Sequence, residues 1–211
     1  MTDRARLLLV DDHRMMLDSL RLALEREHQI VGAVRTAAEA IEANRRLRPD
    51  LVLLDLGLPD RGGLEIISDL LQVRNVRILV VTMYTDRVLA DAALQAGARG
   101  YIPKDADIAE LNTAIREVLA GRTFVSSLIH ERTLEQFPDK LRLGMANLTP
   151  RQRAIVDRLG DGKSSARIAD ELHLSCATIA FHRGRIRKAL GLKSEWDLLR
   201  HALLIRMSEP S

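Results

Sequence analysis

The chain has 211 residues, 46% apolar and 29% charged, which is enough for one large domain or two modest ones with ordinary cores. Its unbroken apolar runs are strand-length, as in Ile78–Val81, so no segment reads as a membrane span, and a single cysteine, Cys176, excludes an internal disulfide. The net charge of +3 hides an uneven spread. Residues 1–121 carry 16 basic and 19 acidic side chains, whereas 122–211 carry 16 and 10, so an acidic half is joined to a basic half that suits a nucleic acid. The N-terminus runs straight into a strand with no signal-peptide pattern. With the lone cysteine, that predicts a cytoplasmic protein.

From Arg6 the chain alternates strand-like and helix-like stretches five times. The strands read as Arg6–Val10, Ile30–Val34, Leu51–Leu54, Ile78–Val81 and Gly100–Ile102, short and almost wholly apolar, as parallel strands buried on both faces should be. Helical patterns near His13–Glu27, Thr36–Leu47, Leu64–Val73, Asp86–Ala96 and Ile108–Ala120 separate them. The alternation predicts an α/β domain over 1–121, a doubly wound five-stranded parallel sheet whose ligands lie at the carboxyl ends of the strands. Residues 122–147 read as a linker with a short helix near Leu128–Phe137. Residues 148–211 then turn purely helical, as Thr149–Leu159, Ser164–Leu172, Ser175–Leu190 and Ser194–Met207. Thr149 followed by Pro150 is a helix start, and Ser164, Ser175 and Ser194 are N-cap candidates. Four short helices with tight turns predict a small all-α helix-turn-helix domain.

Chemistry-bearing residues collect at the strand ends. Asp11 and Asp12 follow strand one, Asp55 follows strand three, Thr82 follows strand four and Lys104 follows strand five. Three carboxylates brought together raise one another's pKa. A hard cation such as Mg²⁺ resolves that conflict and neutralises an incoming phosphate, which makes Asp55 a candidate nucleophile for an acyl phosphate. Lys104 and Thr82 can each take a phosphoryl oxygen. Singly, an Asp at a strand end is commonly a helix cap; four positions at four strand ends of one sheet are harder to dismiss.

The segments Leu9–His13, Asp55–Pro59, Val81–Met83 and Gly100–Lys104 resemble a two-component receiver domain, and the segment from Leu148 resembles a LuxR-type helix-turn-helix. Together they are similar to response regulators of the NarL/FixJ type over nearly the whole chain. The resemblance implies a receiver-like (flavodoxin-like) sheet and phosphorylation of Asp55 by a sensor histidine kinase. It implies Mg²⁺ held by Asp12, Asp55 and the backbone carbonyl of Gly57, with Asp11 acting largely through water. Thr82 and Tyr101 become the switch pair, and the implied protein is a transcription regulator that dimerises when phosphorylated, not an enzyme.

In the C-terminal half no acidic residue occurs between Glu171 and Glu195, while Arg183, Arg185, Arg187, Lys188 and Lys193 all fall there. On Ser175–Leu190, the positions Ile179, His182, Ile186 and Leu190 form one apolar stripe, with His182 expected as a hydrogen-bonded core residue. The opposite, basic face fits the major groove of double-stranded DNA. The five basic residues are expected at phosphates. By the resemblance, Thr178, Ala180, Phe181 and Gly184 share this DNA-binding face, Ala180, Phe181 and Gly184 near the base edges, where apolar contact with a thymine methyl is one use. The last helix offers two apolar faces, one for the core and one as a candidate dimer surface.

Gly160–Ser164 suggests the tail of a nucleotide-binding loop, but Asp157 stands where the first glycine is required. A DNA-binding regulator controlled by dimerisation or a ligand, without phosphorylation, is the alternative that keeps the rest of the reading.

Overall fold

The computed structural model describes residues 4–58, 63–130 and 145–208, and the chain divides into two compact units, 1–130 and 131–211. The first unit is a parallel sheet of β1 (Arg6–Val10), β2 (Gln29–Val34), β3 (Leu51–Leu54), β4 (Arg77–Thr82), β5 (Gly100–Pro103) and β6 (Phe124–Val125), in the order β2-β1-β3-β4-β5-β6. Helices α1 (Arg14–Leu24), α2 (Ala37–Leu47), α3 (Gly63–Val73), α4 (Arg87–Gln95) and α5 (Ile108–Leu119) join the first five strands and lead into β6. The five expected strands and five helices are all present, and the sheet is doubly wound.

Alternation along each strand sets the two layers. Leu7, Leu9, Leu51, Leu53, Leu79, Val81 and Ile102 pack with Leu17 and Leu24 of α1 and Leu111, Ala114, Ile115 and Val118 of α5. Their neighbours Leu8, Val52, Ile78 and Val80 point the other way and are equally buried. Each such side chain contributes about 1.5–3 kcal/mol by leaving water. Helix starts are tied as their sequences dictate: Thr36 Oγ1 accepts from Glu39 N at 3.2 Å, and Asp107 Oδ1 accepts from Glu110 N at 2.7 Å.

β6 lies in the stretch that reads as linker. Phe124 N donates to Arg99 O and Ser126 N to Tyr101 O, both at 3.0 Å, which adds a sixth strand beside β5. Two residues carry no periodicity, so nothing in the sequence marks them. Beyond them His130 bridges in parallel to Asp86, with His130 N on Thr85 O at 3.0 Å and Arg87 N on His130 O at 3.2 Å. The helix expected near Leu128–Phe137 falls, from residue 131, outside the described residues; Ser127 and Leu128 form a turn.

The second unit contains α6 (Pro150–Gly160), α7 (Ser165–Leu172), α8 (Cys176–Leu190) and α9 (Glu195–Ser208). Thr149 and Gln152 form a reciprocal capping box, Ser164 and Ser175 cap α7 and α8, and Ser194 Oγ accepts from Asp197 N at 3.0 Å. Ile155, Val156, Leu159, Ile168, Leu172, Ile179, Ile186, Leu198 and Ala202 build its core. At Gly160 a Cβ would stand 2.6 Å from the backbone oxygen of Ala202, so α6 and α9 approach as closely as they do only because this residue has no side chain. No helix among the described residues is long and apolar enough to cross a membrane.

Candidate functional site

The strand register assembles the pocket. β1 pairs with β3 so that Val10 lies opposite Leu54, and Asp55 N donates to Val10 O at 2.8 Å. Asp11 and Asp55 therefore emerge side by side where the strand order reverses, the usual ligand position of such sheets. β4 pairs with β5 so that Thr82 lies opposite Pro103, and Lys104 N donates to Thr82 O at 2.8 Å. All four expected strand-end positions meet at one edge.

Within the pocket, Lys104 Nζ stands 2.6 Å from Asp11 Oδ2 and donates to Asp55 Oδ2 at 2.8 Å, with all three side chains no more than 5% exposed. Burial pushes the Asp55 carboxyl above the usual carboxylate range, against the opposing pull of the Lys104 ammonium and with a further push from Asp11. Burial also works against the Lys104 charge, but its hydrogen bonds to Asp11 and Asp55 outweigh it and lift the ammonium's pKa. Gly57 N–H hydrogen-bonds Asp55, and a Cβ at Gly57 would stand 3.2 Å from Asp55 Oδ2. The backbone thus passes close over the carboxylate.

Asp12 is half-buried at the pocket mouth. One ligand atom each from Asp11, Asp12, His13 and Asp55 lies within 4.8 Å of the others. Asp12 Oδ1 is shielded from solvent and has no hydrogen-bond partner; His13 Nδ1 lies 2.6 Å away, outside hydrogen-bond geometry. A shielded, unsatisfied oxygen beside two buried carboxylates fits a hard divalent cation such as Mg²⁺. His13 had no role in the sequence reading. Its position directly after the paired aspartates was the available signal, but its ring folds back on them through a local turn that periodicity does not reveal.

Thr82 is wholly buried and accepts a long contact from Tyr84 N at 3.5 Å. Tyr101 is also wholly buried, and its hydroxyl donates to Tyr84 O at 3.0 Å. Burial first, then the nearby Asp86, raises the phenol's pKa well above its ordinary value, so it stays a neutral donor. With β6 on its far side, Tyr101 stands inside the sheet and not on an edge strand.

On α8 the outcome is mixed. Ile179 and Ile186 are buried as expected, but Arg183 is buried with them. Its place as a phosphate-contacting residue is corrected: Nε donates to Glu195 Oε2 at 2.8 Å and Nη1 to Ser165 Oγ at 2.5 Å. Four residues after Ile179 and three before Ile186, Arg183 falls on the inward stripe, and Glu195 and Ser165 supply the acceptors that a buried guanidinium needs. His182 is only half-buried, and its shielded Nδ1 lacks a hydrogen-bond partner, so it is not the hydrogen-bonded core residue expected. Arg187 is partly buried, with Nε 3.0 Å from Glu195 Oε1. Glu195 thus holds two of the five basic residues. Arg185, Lys188 and Lys193 remain exposed, along with Ala177, Ala180 and Phe181, while Thr178 is partly buried and shares a 2.8 Å hydroxyl contact with Ser175. On α9 Leu198 and Ala202 belong to the core, and Trp196 and Leu199 are buried too, so the single chain has the helix covered on two sides.

A family model for the response regulator receiver domain matches residues 7–116, and one for bacterial regulatory proteins of the luxR family matches 146–202. The transcriptional regulatory protein MctR of Rhizobium johnstonii is 32% identical over 208 residues, 96% of each chain. The DNA-binding transcriptional activator DevR/DosR of Mycobacterium tuberculosis is 34% identical, covering 96% of this chain and 95% of its own. Among solved structures, a LuxR-family two-component response regulator from Aurantimonas sp. SI85-9A1 is 39% identical over 60% of this chain and 93% of that one, with a TM-score of 0.58. RcsB from Salmonella enterica serovar Typhimurium, bound to a promoter with the phosphomimetic BeF3−, shares the fold at 20% identity over 96% of this chain and all of its own, with a TM-score of 0.56. Both units are thus matched by family models, and its relatives align along nearly its whole length. The chain belongs to the LuxR-type two-component response regulators, a family of DNA-binding transcription regulators and not an enzyme class.

Proposed function

We propose that Asp55 is the phosphoacceptor and that a sensor histidine kinase switches this regulator through it. The observation that carries the reading is the buried bridge in which Lys104 Nζ spans Asp11 and Asp55 at 2.6 and 2.8 Å. An Asp55 oxygen attacks phosphorus as the bond from phosphorus to the kinase's histidine nitrogen breaks, leaving an acyl phosphate. Lys104 exchanges its contact with Asp55 for one with a phosphoryl oxygen, and the Thr82 hydroxyl donates to another. Asp12, Asp55 and the Gly57 carbonyl would hold Mg²⁺, with Asp11 acting through water, and the ion would neutralise the incoming charge. Thr82 and Tyr101 then bias the loop between them, because Tyr101 already bonds the backbone of Tyr84, two residues from Thr82.

The output is double-stranded DNA, bound along α8, with Arg185, Lys188 and Lys193 at phosphates and Arg187 beside them, while Arg183 positions the helix. A homodimer formed on phosphorylation matches a two-fold DNA site, and action on DNA places the chain in the cytoplasm. Residues 1–121 and 148–211 are the working domains of this reading. Intact-mass measurement after incubation with Mg²⁺ and acetyl phosphate tests it. One phosphoryl group on the wild type and none on Asp55→Asn is expected; no phosphate on either protein overturns it.

A further inference from the structure

We propose that the centre of α8 reads thymine methyl groups in the major groove, with Phe181 as the specificity-determining residue; the inference rests on α8 being the DNA-binding helix. Along its outward side stand Ala177, Ala180, Phe181 and Gly184. None of these side chains donates or accepts a hydrogen bond. Two polar groups of the same helix are held elsewhere, the Thr178 hydroxyl by Ser175 at 2.8 Å and Arg183 by Glu195 and Ser165, which leaves Arg185 and Lys188 as its exposed charged groups. These four side chains therefore offer a base edge apolar contact only, and in the major groove thymine alone presents an apolar group, its C5-methyl.

Phe181 is the large apolar side chain on that face, and it is 62% exposed although the unit has a well-filled core. Its ring is held from its own helix. The Arg185 guanidinium lies over it at 5.8 Å from the centroid, and His182 meets it edge-on at 5.9 Å. At Gly184 nothing lies within 4 Å of where a Cβ would be, so the surface beside the ring is open. Exposed Arg185, Lys188 and Lys193 surround this apolar centre with positive charge. That charge selects a polyanion as the occupant, and the apolar centre selects which base edges it carries.

The test uses the full chain with Mg²⁺, with and without beryllofluoride, on a random duplex library. Selected duplexes are then remade with single thymine-to-deoxyuridine replacements, which remove only the methyl. Thymines recurring in each half-site are expected, with deoxyuridine weakening wild-type binding roughly four-fold per methyl contact. Phe181→Ala should bind the two duplexes equally, and Phe181→Leu should restore part of the difference. Equal binding of both duplexes by the wild type overturns the proposal, as does an unchanged ratio in Phe181→Ala, or a selected site of G·C pairs that still binds tightly. Enrichment of no duplex in either condition overturns the DNA-binding assignment of α8 as well, so the two failures are told apart.

Discussion

Arg183 and Glu195 join the middle of α8 to the first residue of α9, Nε to Oε2 at 2.8 Å, and Glu195 reaches Arg187 with its other oxygen at 3.0 Å. The pair makes the two helices one unit, and Ser165 at the start of α7 extends it to a third. Glu195→Ala leaves the buried Arg183 charge without its carboxylate, a loss of about 2–4 kcal/mol, at or below the usual range for a broken buried pair because Glu195 is a third exposed. Denaturant unfolding followed by the fluorescence of Trp196, the chain's single tryptophan and a residue of α9, reads this directly. Arg183→Met, which fills the space without charge, should cost clearly less; equal losses would contradict the role given to the ion pair.

Asp55 illustrates function held against stability. Its pKa is raised by burial, so between the ordinary carboxylate value and that raised one the folded state binds more protons than the unfolded. Ionising Asp55 in the folded state therefore costs stability as pH rises through this window. Asp55→Asn removes that charge while keeping the shape, and it should raise the melting temperature of the first unit by about 2–5 °C in metal-free buffer as it abolishes phosphoryl uptake. A lowered melting temperature would mean that the contact with Lys104 outweighs the cost of burial.

The pocket was legible because it depends on strand ends alone. Once Leu51–Leu54 and Ile78–Val81 are read as buried strands, Asp55 and Thr82 have nowhere to go but the carboxyl edge, and parallel register brings Asp11 and Lys104 beside them. β6 was illegible because two residues carry no pattern, and His13 because its approach to Asp12 depends on a single turn. Arg183 was misassigned for a different reason. Charge implies exposure only when no partner is available inside, and Glu195, twelve residues on, is invisible to any helical periodicity. The contact of His130 with the loop after β4 escaped for the same reason, since its partners Thr85 and Arg87 lie more than forty residues away.

His201 gives the second unit an acid sensitivity. The residue is buried in α9 with both ring nitrogens unpartnered, and burial lowers its pKa to about 4. A folded-state pKa below the unfolded value near 6.5 means that stability is full above that value and is lost as pH falls from 6.5 towards 4, at up to about 1.4 kcal/mol per pH unit. Unfolding curves read at Trp196 should show this slope in the wild type and lose it in His201→Leu. A slope that survives the substitution would assign the acid sensitivity to other groups.

The charges on α8 separate by what they touch. Arg185 and Lys188 are exposed, and Arg183 is spent on Glu195 and Ser165. Each phosphate contact releases counterions, so Arg185→Ala and Lys188→Ala should each weaken binding to every duplex and reduce the slope of log affinity against log salt by about 1. Arg183→Met should leave that slope unchanged, since its guanidinium is buried against Glu195 and Ser165, and any loss of affinity should track the loss of folded protein seen at Trp196. Titrations of the three variants at several salt concentrations, on one duplex, distinguish the classes. A reduced slope in Arg183→Met would mean that the residue turns outward when DNA arrives and that the Glu195 contact is the resting arrangement only.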